Sequence, residues 1–452
     1  MNSTIANRQT RPGATARRSM RPGGLLDVAG LTAAPERFFA RRVEQRGDPF
    51  CVRFPGLGNV LVTGHPDGAR EIFSAPADAF VPALPNPVEP LLGSGSLILL
   101  GGERHRRERK LMTPPFHGDR MRTYGRIIQE RSLEEMARWQ TGKRIDISEA
   151  MRAITLDVIV RAVFGVRDPE TRERIHHAIV AMLDSYRPEL VALPRLRRHF
   201  GGVGPWARFS NARDSFRNLL RAEIAERQRV HGAEERHDVL TLLLEARYDD
   251  GGALSEEELL DELSTLLVAG HETSATALSW ALYFVHKNPS LLDALSAELR
   301  NASSPVDPDV LVGLPLLGAV CNEALRLHPV VPIAIRRAAR ELSVRGVEVP
   351  AGKCVAVAVT LLHAHPDVWS EPERFRPDRF LTRKYSPFEY APFGGGARRC
   401  VGAAFALYEM KIVLGTILAG HRLGTTKAAP RHRVIRNITM GPSRSILLRV
   451  ES

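Results

Sequence analysis

Apolar positions along this chain recur mostly at helical spacing. From Glu103 to about Arg300 the pattern is helical, broken at Pro114-Pro115 and again between Arg187 and Gly204, where Pro188, Pro194, Gly201 and Gly202 gather. The second break predicts either a movable cover over a pocket or a plain connection. The longest uninterrupted run, Glu256 to His286, has no proline and is apolar on several sides, which predicts a helix crossing the core. Shorter helices are predicted at Pro35–Gln45, at Pro66–Phe73, and after the Pro305 to Pro315 stretch up to Leu327. Phe50–Phe54 and Asn59–Thr63 flank Gly56-Leu57-Gly58, a hairpin signal. Later strands are predicted at Leu342–Val347 and Val355–Val359, joined through the turn Pro350–Lys353. Residues 81–100 hold four prolines among apolar residues (Val81, Leu84, Leu91, Leu92, Leu97, Ile98), which points to a binding loop. The fold class is mainly α with small β-sheets, in a single domain over 27–452.

Composition narrows this little. Of 452 residues 44% are apolar, enough for a substantial core. Four scattered cysteines, Cys51, Cys321, Cys354 and Cys400, fit a reducing compartment, and a cytoplasmic location is expected. The formal net charge of +12 admits nucleic acid, an anionic membrane or an acidic protein partner. Basic and aromatic residues do not interleave as in base readers, so no nucleic-acid partner is expected. No run of eighteen apolar residues occurs, so no transmembrane segment is expected. Residues 1–26 carry Arg8, Arg11, Arg17, Arg18 and Arg21 and no acid, which reads as a disordered basic tail, with a transit peptide as the other reading.

The chemistry gathers late. In Ala391-Pro-Phe-Gly-Gly-Gly-Ala-Arg-Arg-Cys400-Val-Gly402, a Gly-rich turn delivers one cysteine to the start of an apolar helical run, Ala403 to Leu418. Helix-start amides and adjacent arginines are expected to lower its thiol pKa. With no CxxC partner the pattern does not suit zinc. With no Lys-Ser or Lys-Thr it does not suit a phosphate loop. A buried structural cysteine remains open. Within the long helical run, Ala269-Gly270-His271-Glu272-Thr273 sets a carboxylate and a hydroxyl in an apolar stretch, where burial is costly unless the groups are paired or wet. Glu323 and Arg326 share a helix face at i, i+3, and Phe375-Arg-Pro-Asp-Arg379-Phe380 follows. No GxGxxG follows a strand, so no nicotinamide or flavin domain is read.

Phe393-x-x-Gly396-x-Arg398-x-Cys400-x-Gly402 resembles the cysteine loop of cytochromes P450, the established example of thiolate-ligated haem. His105-x-x-x-Arg109, Ala269 to Thr273, and Glu323-x-x-Arg326 with Pro377-x-Arg379-Phe380 also agree with the family in order, and the resemblance runs from Pro35 to the end, looking like a soluble, bacterial-type member with no fused reductase. It implies a triangular helical prism holding haem b. Cys400 would ligate the iron, and Phe393, packed near the sulfur, and Gly402 would also bind the haem. His105, Arg109, Arg336 (with Arg337 as a rival) and Arg398 would hold the propionates. Glu272 and Thr273 would deliver protons to bound dioxygen, while Glu323, Arg326 and Arg379 would be structural. The implied activity is a monooxygenase that hydroxylates or epoxidises a bulky hydrophobic molecule (terpenoid, steroid, fatty acid or polyketide). The alternatives are a peroxide-driven hydroxylase and a non-catalytic haem sensor. Pocket liners would be Leu266, Ala269, Val331, Ile333, Ala334, Ile335 and Met440. Electrons would come from NAD(P)H through a ferredoxin or flavodoxin-type donor. That donor would dock on a basic patch of Arg106, Arg107, Lys110, Arg399 and Lys411, and a monomer is expected.

Overall fold

The computed structural model describes residue 30 and residues 34–451, except 119, 167, 188, 191–193, 200, 230–237, 303–306, 427–432 and 437–438. The basic stretch 1–26 lies outside the described residues, as does part of the second break. Helices α1 (Pro35–Arg46), α2 (Pro66–Phe73), α3 (Gly102–Met112), α4 (Arg120–Met136), α5 (Ile147–Phe164), α6 (Pro169–Ser185), α7 (Pro205–Arg229), α8 (Glu256–Lys287), α9 (Pro289–Asn301), α10 (Pro315–Leu327) and α11 (Ala403–Gly420) build most of the body. Short helical turns connect them.

Helix α8 organises the rest. Its N-terminus is fixed by a capping box, in which Ser255 and Glu258 satisfy each other's backbone amides. At ~1.5 Å per residue its 32 residues reach about 48 Å. It packs along α5, whose Ile147, Met151, Ile154 and Val158 are fully buried with Leu260, Leu263, Leu267 and Leu278 of α8 in one apolar cluster. Gly270 permits close crossing, because a Cβ there would lie 3.0 Å from Ile159 Cδ1.

The sheets are small and peripheral. Strands β1 (Phe50–Phe54), β2 (Gly58–Thr63), β3 (Phe80–Val81), β5 (Ile333–Ala338) and β8 (Cys354–Ala358) form one sheet in the order β1-β2-β8-β5-β3, with β2 and β8 parallel. Strand β4 (Arg144–Asp146) joins β12 (Leu447–Val450) and β9 (Leu423–Thr425), and β10 (Arg433–Arg436) pairs with β11 (Thr439–Pro442). The single strand expected at Leu342–Val347 is instead a hairpin, β6 (Leu342–Val344) and β7 (Val347–Val349). Its turn residues Arg345 and Gly346 both have positive φ, 47° and 74°, the backbone of a tight two-residue hairpin. Arg345 tolerates this because its amide donates to Glu71 Oε2 at 2.6 Å and its guanidinium meets Asp48 Oδ1 at 2.9 Å.

Helix α11 refines another expectation. Over 18 residues its mean hydropathy is 1.5, long and apolar enough to cross a membrane by length and composition alone, although Glu409 and Lys411 interrupt any continuous apolar run. Here it is a core helix, with Phe405, Met410, Ile412, Val413, Leu414 and Ile417 buried in the main apolar cluster.

Candidate functional site

The cysteine turn is held by its own backbone. Gly394 donates to Ala391 O, Arg399 to Gly396 O, and Cys400 to Phe393 O, each at 3.0 Å. The glycines are needed where the turn meets α2. Gly396 has φ 65°, and a Cβ on it would lie 2.1 Å from Phe73 O. A Cβ on Gly402 would meet nothing within 4 Å, so the space beside the cysteine is left open by the protein. Cys400 is solvent-exposed on that open side, yet protein crowds the sulfur elsewhere. The expected acidic thiol is not what results. Burial raises the thiol pKa above its ordinary value, and the Gly402 amide, Arg109 and Arg399 only partly offset it. An unpaired thiolate would be disfavoured here, and a cation beside the sulfur would reverse that.

Four cationic side chains converge on the same place from three separate segments. His105 and Arg109 come from α3, Arg336 from β5, and Arg398 from the cysteine turn. Burial first, and then Arg398, Arg109 and Arg336, lower the pKa of His105 to about 4. Arg336 is lowered to about 10 by burial and then by Arg398. Arg398 is lowered by burial and Arg109, while Arg109 is lowered by burial and feels Cys400. None of the four has a carboxylate ion-pair partner among the described residues. Their hydrogen bonds are to backbone carbonyls: Arg398 to Leu100 O, and Arg336 to Ile335 O at 2.9 Å. Strand alternation separates the rival arginine, for Arg337 turns away to the carbonyls of Gly352 and Leu84. Desolvated like charges with no carboxylate form a receptor for a polyanion.

Helix α8 carries the candidate acid and hydroxyl. Ala269 is exposed at mid-helix, opposite the buried run, and Thr273 Oγ1 donates to Ala269 O at 2.6 Å. Glu272 and Thr273 are half-buried. Glu272 lines a polar cleft with Ser148, Arg152, Thr276, Ser279 and Arg444, which Thr273 does not line. Two adjacent residues therefore serve two sides of one helix. Leu266, Ile333, Ala334 and Ile335 are partly buried and Val331 is 39% exposed. Met440 departs from the expected lining. It is 1% exposed, and its amide donates to Val330 O at 2.7 Å. In the 81–100 loop, Leu91, Leu92 and Leu97 are core residues, leaving Val81, Leu84 and Ile98 exposed.

Glu323 receives Arg326 Nε at 2.6 Å and Nη2 at 2.8 Å, with Arg379 Nε 3.4 Å away and the Arg376 amide at 2.8 Å. Arg326 also donates to the carbonyls of His363, Pro372 and Arg374. The acid thus ties α10 to the segment leading into the cysteine turn.

The anchoring of the 93–98 segment was missed by the sequence reading. Gly95 N donates to Asp261 Oδ2 and Leu97 N to Glu262 Oε1, each at 2.8 Å, and Thr265 Oγ1 meets Ser96 Oγ at 2.7 Å. Acids on the inner face of a helix were the available signal. The basic patch is also changed. Arg106 pairs with Glu103, Arg107 with Asp250 and Lys110 with Asp249, while Lys411 donates to Val312 O. Arg399 is exposed.

Residues 25–448 match the family described as Cytochrome P450. The chain belongs to the cytochrome P450 family. This cytochrome P450 is 35% identical over 419 residues to cytochrome P450 138 of Mycobacterium tuberculosis, covering 92% of each chain. It is 35% identical over 433 residues to cytochrome P450 135B1 of Mycobacterium bovis, covering 92% of this chain and 87% of the relative. Among solved structures, retinoic acid-bound cyanobacterial CYP120A1 superposes with a TM-score of 0.84 at 24% identity, over 96% of this chain and 99% of that one. The haem domain of cytochrome P450DA gives 0.82 at 24% identity over 96% of both. The mainly helical P450 fold and a haem-dependent monooxygenase class follow from family membership.

Proposed function

We propose that this P450 holds haem b through Cys400 Sγ and inserts one oxygen atom from dioxygen into a bulky hydrophobic small molecule. The observation that carries this is the convergence of His105, Arg109, Arg336 and Arg398 beside Cys400 with no carboxylate among them. A macrocycle bearing two carboxylates and a central cation answers both demands of the site. The carboxylates would take the guanidinium and imidazole donors, and the cation would sit against the cysteine sulfur. Haem, when bound, supplies the iron centre at which dioxygen is reduced.

The chain's own groups have separable tasks in this reading. Cys400 Sγ gives up its proton and donates electron density. Arg109, Arg336 and Arg398 fix the carboxylates, and His105, neutral because of its burial, donates a hydrogen bond from one ring nitrogen. Thr273 commits its hydroxyl hydrogen to Ala269 O, so Oγ1 presents lone pairs to the cavity and accepts a hydrogen bond there. The Glu272 carboxyl, on the cleft side, takes protons from solvent and passes them inward. Val331, Ile335, Leu266 and Ala269 exclude water and select an apolar guest, such as a terpenoid, steroid, fatty acid or polyketide. Electrons arrive from NAD(P)H through a ferredoxin or flavodoxin-type donor.

Reduced protein under carbon monoxide should show the red-shifted Soret band of a thiolate ligand, and Cys400→Ser should lose it. A histidine-type band in the wild type would refute the ligand assignment. A spectral binding screen across the four substrate classes then identifies the guest.

A further inference from the structure

Outside the haem cavity the fold brings together a second set of metal-ligating side chains. Strands β2 and β8 run parallel, with Thr63 opposite Val357, so both chains leave the same end of the sheet. Gly64 then lets the first chain press against the second, for a Cβ there would lie 2.2 Å from Leu361 Cβ. The result places His65, at the start of α2, beside His365, three hundred residues later. Their rings are edge to face, with centroids 4.6 Å apart. Asp367 completes the group, and the potential ligand atoms of all three lie within 4.8 Å of one another.

We propose that His65, His365 and Asp367 form a site for a borderline divalent transition metal, Zn²⁺ above all, separate from the haem pocket. Two imidazoles and one carboxylate are a donor set for Zn²⁺, Ni²⁺ or Cu²⁺, whereas Mg²⁺ and Ca²⁺ seek oxygen ligands throughout. Three protein ligands leave a fourth position for water.

Two further observations point to a ligand. His365 Nδ1 is a buried polar atom with no hydrogen-bond partner, a state that burial ordinarily penalises. His65 Nδ1 now accepts the Asp67 amide at 3.0 Å, and Asp67 Oδ2 lies 3.5 Å from the same nitrogen. If a metal takes His65 Nε2, the ring proton moves to Nδ1; the Asp67 amide then loses that acceptor, and Asp67 Oδ2, 3.5 Å away, can take the new N–H. That is the carboxylate–histidine–metal arrangement that orients ligating imidazoles.

The other charges nearby are Asp48 and Arg345, which pair with each other at 2.9 Å and so nearly cancel. Ligand atoms around tetrahedral zinc stand about 3.3 Å apart, and His365 Nδ1 and Asp367 Oδ2 stand 3.9 Å apart here. The closing movement falls to Asp367, whose side chain is 79% exposed. A bound ion would clip the β2–α2 corner to the segment whose His363 and Pro372 carbonyls receive Arg326.

The test is a titration of tag-free, chelator-stripped holoprotein with Zn²⁺ at pH 7.5, followed by calorimetry and by thermal melting. One equivalent should bind, raising Tm, and Mg²⁺ should do neither. His365→Ala and His65→Ala should each weaken Zn²⁺ binding at least tenfold, and Asp367→Asn, at an exposed position, should weaken it severalfold. Their reduced-CO spectra should match the wild type, showing an intact fold. Equal Zn²⁺ affinity in the His65 and His365 variants would put the metal on other histidines and overturn the proposal. No stoichiometric binding by the wild type, or equal affinity for Mg²⁺, would overturn it as well.

Discussion

Thr155 Oγ1 of α5 donates a hydrogen bond of 3.0 Å to the backbone carbonyl of His271 in α8. The same hydroxyl lies 3.4 Å from His271 Nδ1, and His271 is buried with its pKa lowered to about 3, chiefly by burial. The neutral ring and the carbonyl are therefore gripped together, directly before Glu272 and Thr273. Gly270 presses on Ile159 one residue earlier. Helix α5 thus sets the axial position of the acid–hydroxyl pair without touching the cavity. Thr155→Val should cost about 0.5–1.5 kcal/mol and keep the haem spectrum. The fraction of NAD(P)H electrons recovered in product should fall, with peroxide rising in step. Unchanged coupling despite the lost stability would show that the contact is structural only.

Legibility along this chain followed the range of the interaction. The cysteine turn, His105 with Arg109, and Glu323 with Arg326 are each written within a few residues, so spacing alone places their members on one turn or helix face. Arg379 came through the resemblance, as the arginine of Pro377-x-Arg379-Phe380, and a shared carboxylate made its role plausible. What escaped the sequence depends on contacts between distant segments. Asp261 and Glu262 read as ordinary helix charges until Gly95 and Leu97 are seen to need acceptors 165 and more residues away. Thr155 carried no signal, since a hydroxyl in a helix usually bonds its own backbone. The thiol pKa was misjudged for a related reason. Helix amides and arginines were visible, but the burial that outweighs them comes from the whole fold.

Thr273→Ala tests the cavity side of α8. Ala269 O keeps its helical partner when the hydroxyl goes, so stability should change by less than about 1 kcal/mol. Carbon monoxide binding should be intact while product per electron falls severalfold. A product yield equal to the wild type would remove Thr273 from the mechanism.

Glu323 is fully buried, and Arg326 and Arg379 both face it. Glu323→Gln leaves the two guanidiniums without a buried counter-charge, a class of change that costs about 3–5 kcal/mol, comparable with much of a domain's net stability. The expected outcome is a sharply lowered urea midpoint and little haem-loaded protein. Glu103→Gln, which breaks the exposed pair with Arg106, should shift the midpoint by less than about 0.5 kcal/mol. Equal effects of the two substitutions would contradict a structural role for Glu323.

Glu262 is pushed up to about 8, first by burial and then by Glu108, against the stabilising Leu97 amide. Glu409 in α11 is also raised to about 8, by burial. A carboxyl raised on folding binds its proton more tightly in the native state than in the unfolded one. Its stabilising contribution is complete below the unfolded value, near 4.5, and is lost as pH rises to about 8. Unfolding free energy should therefore decline across that window, by at most about 1.4 kcal/mol per pH unit for each group. Glu262→Gln stays neutral and can still accept the Leu97 amide. It should melt higher than wild type at pH 8 and remove part of the slope, Glu409 keeping the rest. Parallel Tm-versus-pH curves for the two proteins would rule out Glu262 as a source.

The turn at Asp249–Asp250 bears on electron delivery. Arg107 meets Asp250 at 2.7 Å and lies over the Tyr248 ring, while Lys110 meets Asp249 at 2.6 Å. All four charged side chains are well exposed, so each pair is worth only ~0–1 kcal/mol and an incoming acidic surface can compete for the cations. Until it does, the turn masks positive charge on the helix that carries His105 and Arg109. Asp249→Asn with Asp250→Asn should raise the association rate of an acidic ferredoxin severalfold at low ionic strength, the gain fading as salt screens it. Arg399→Glu, beside the cysteine, should slow it. Stopped-flow reduction across a salt series measures both. A double variant that reduces at the wild-type rate at low salt would place docking elsewhere, because unmasking two cations on the docking face must change the encounter rate.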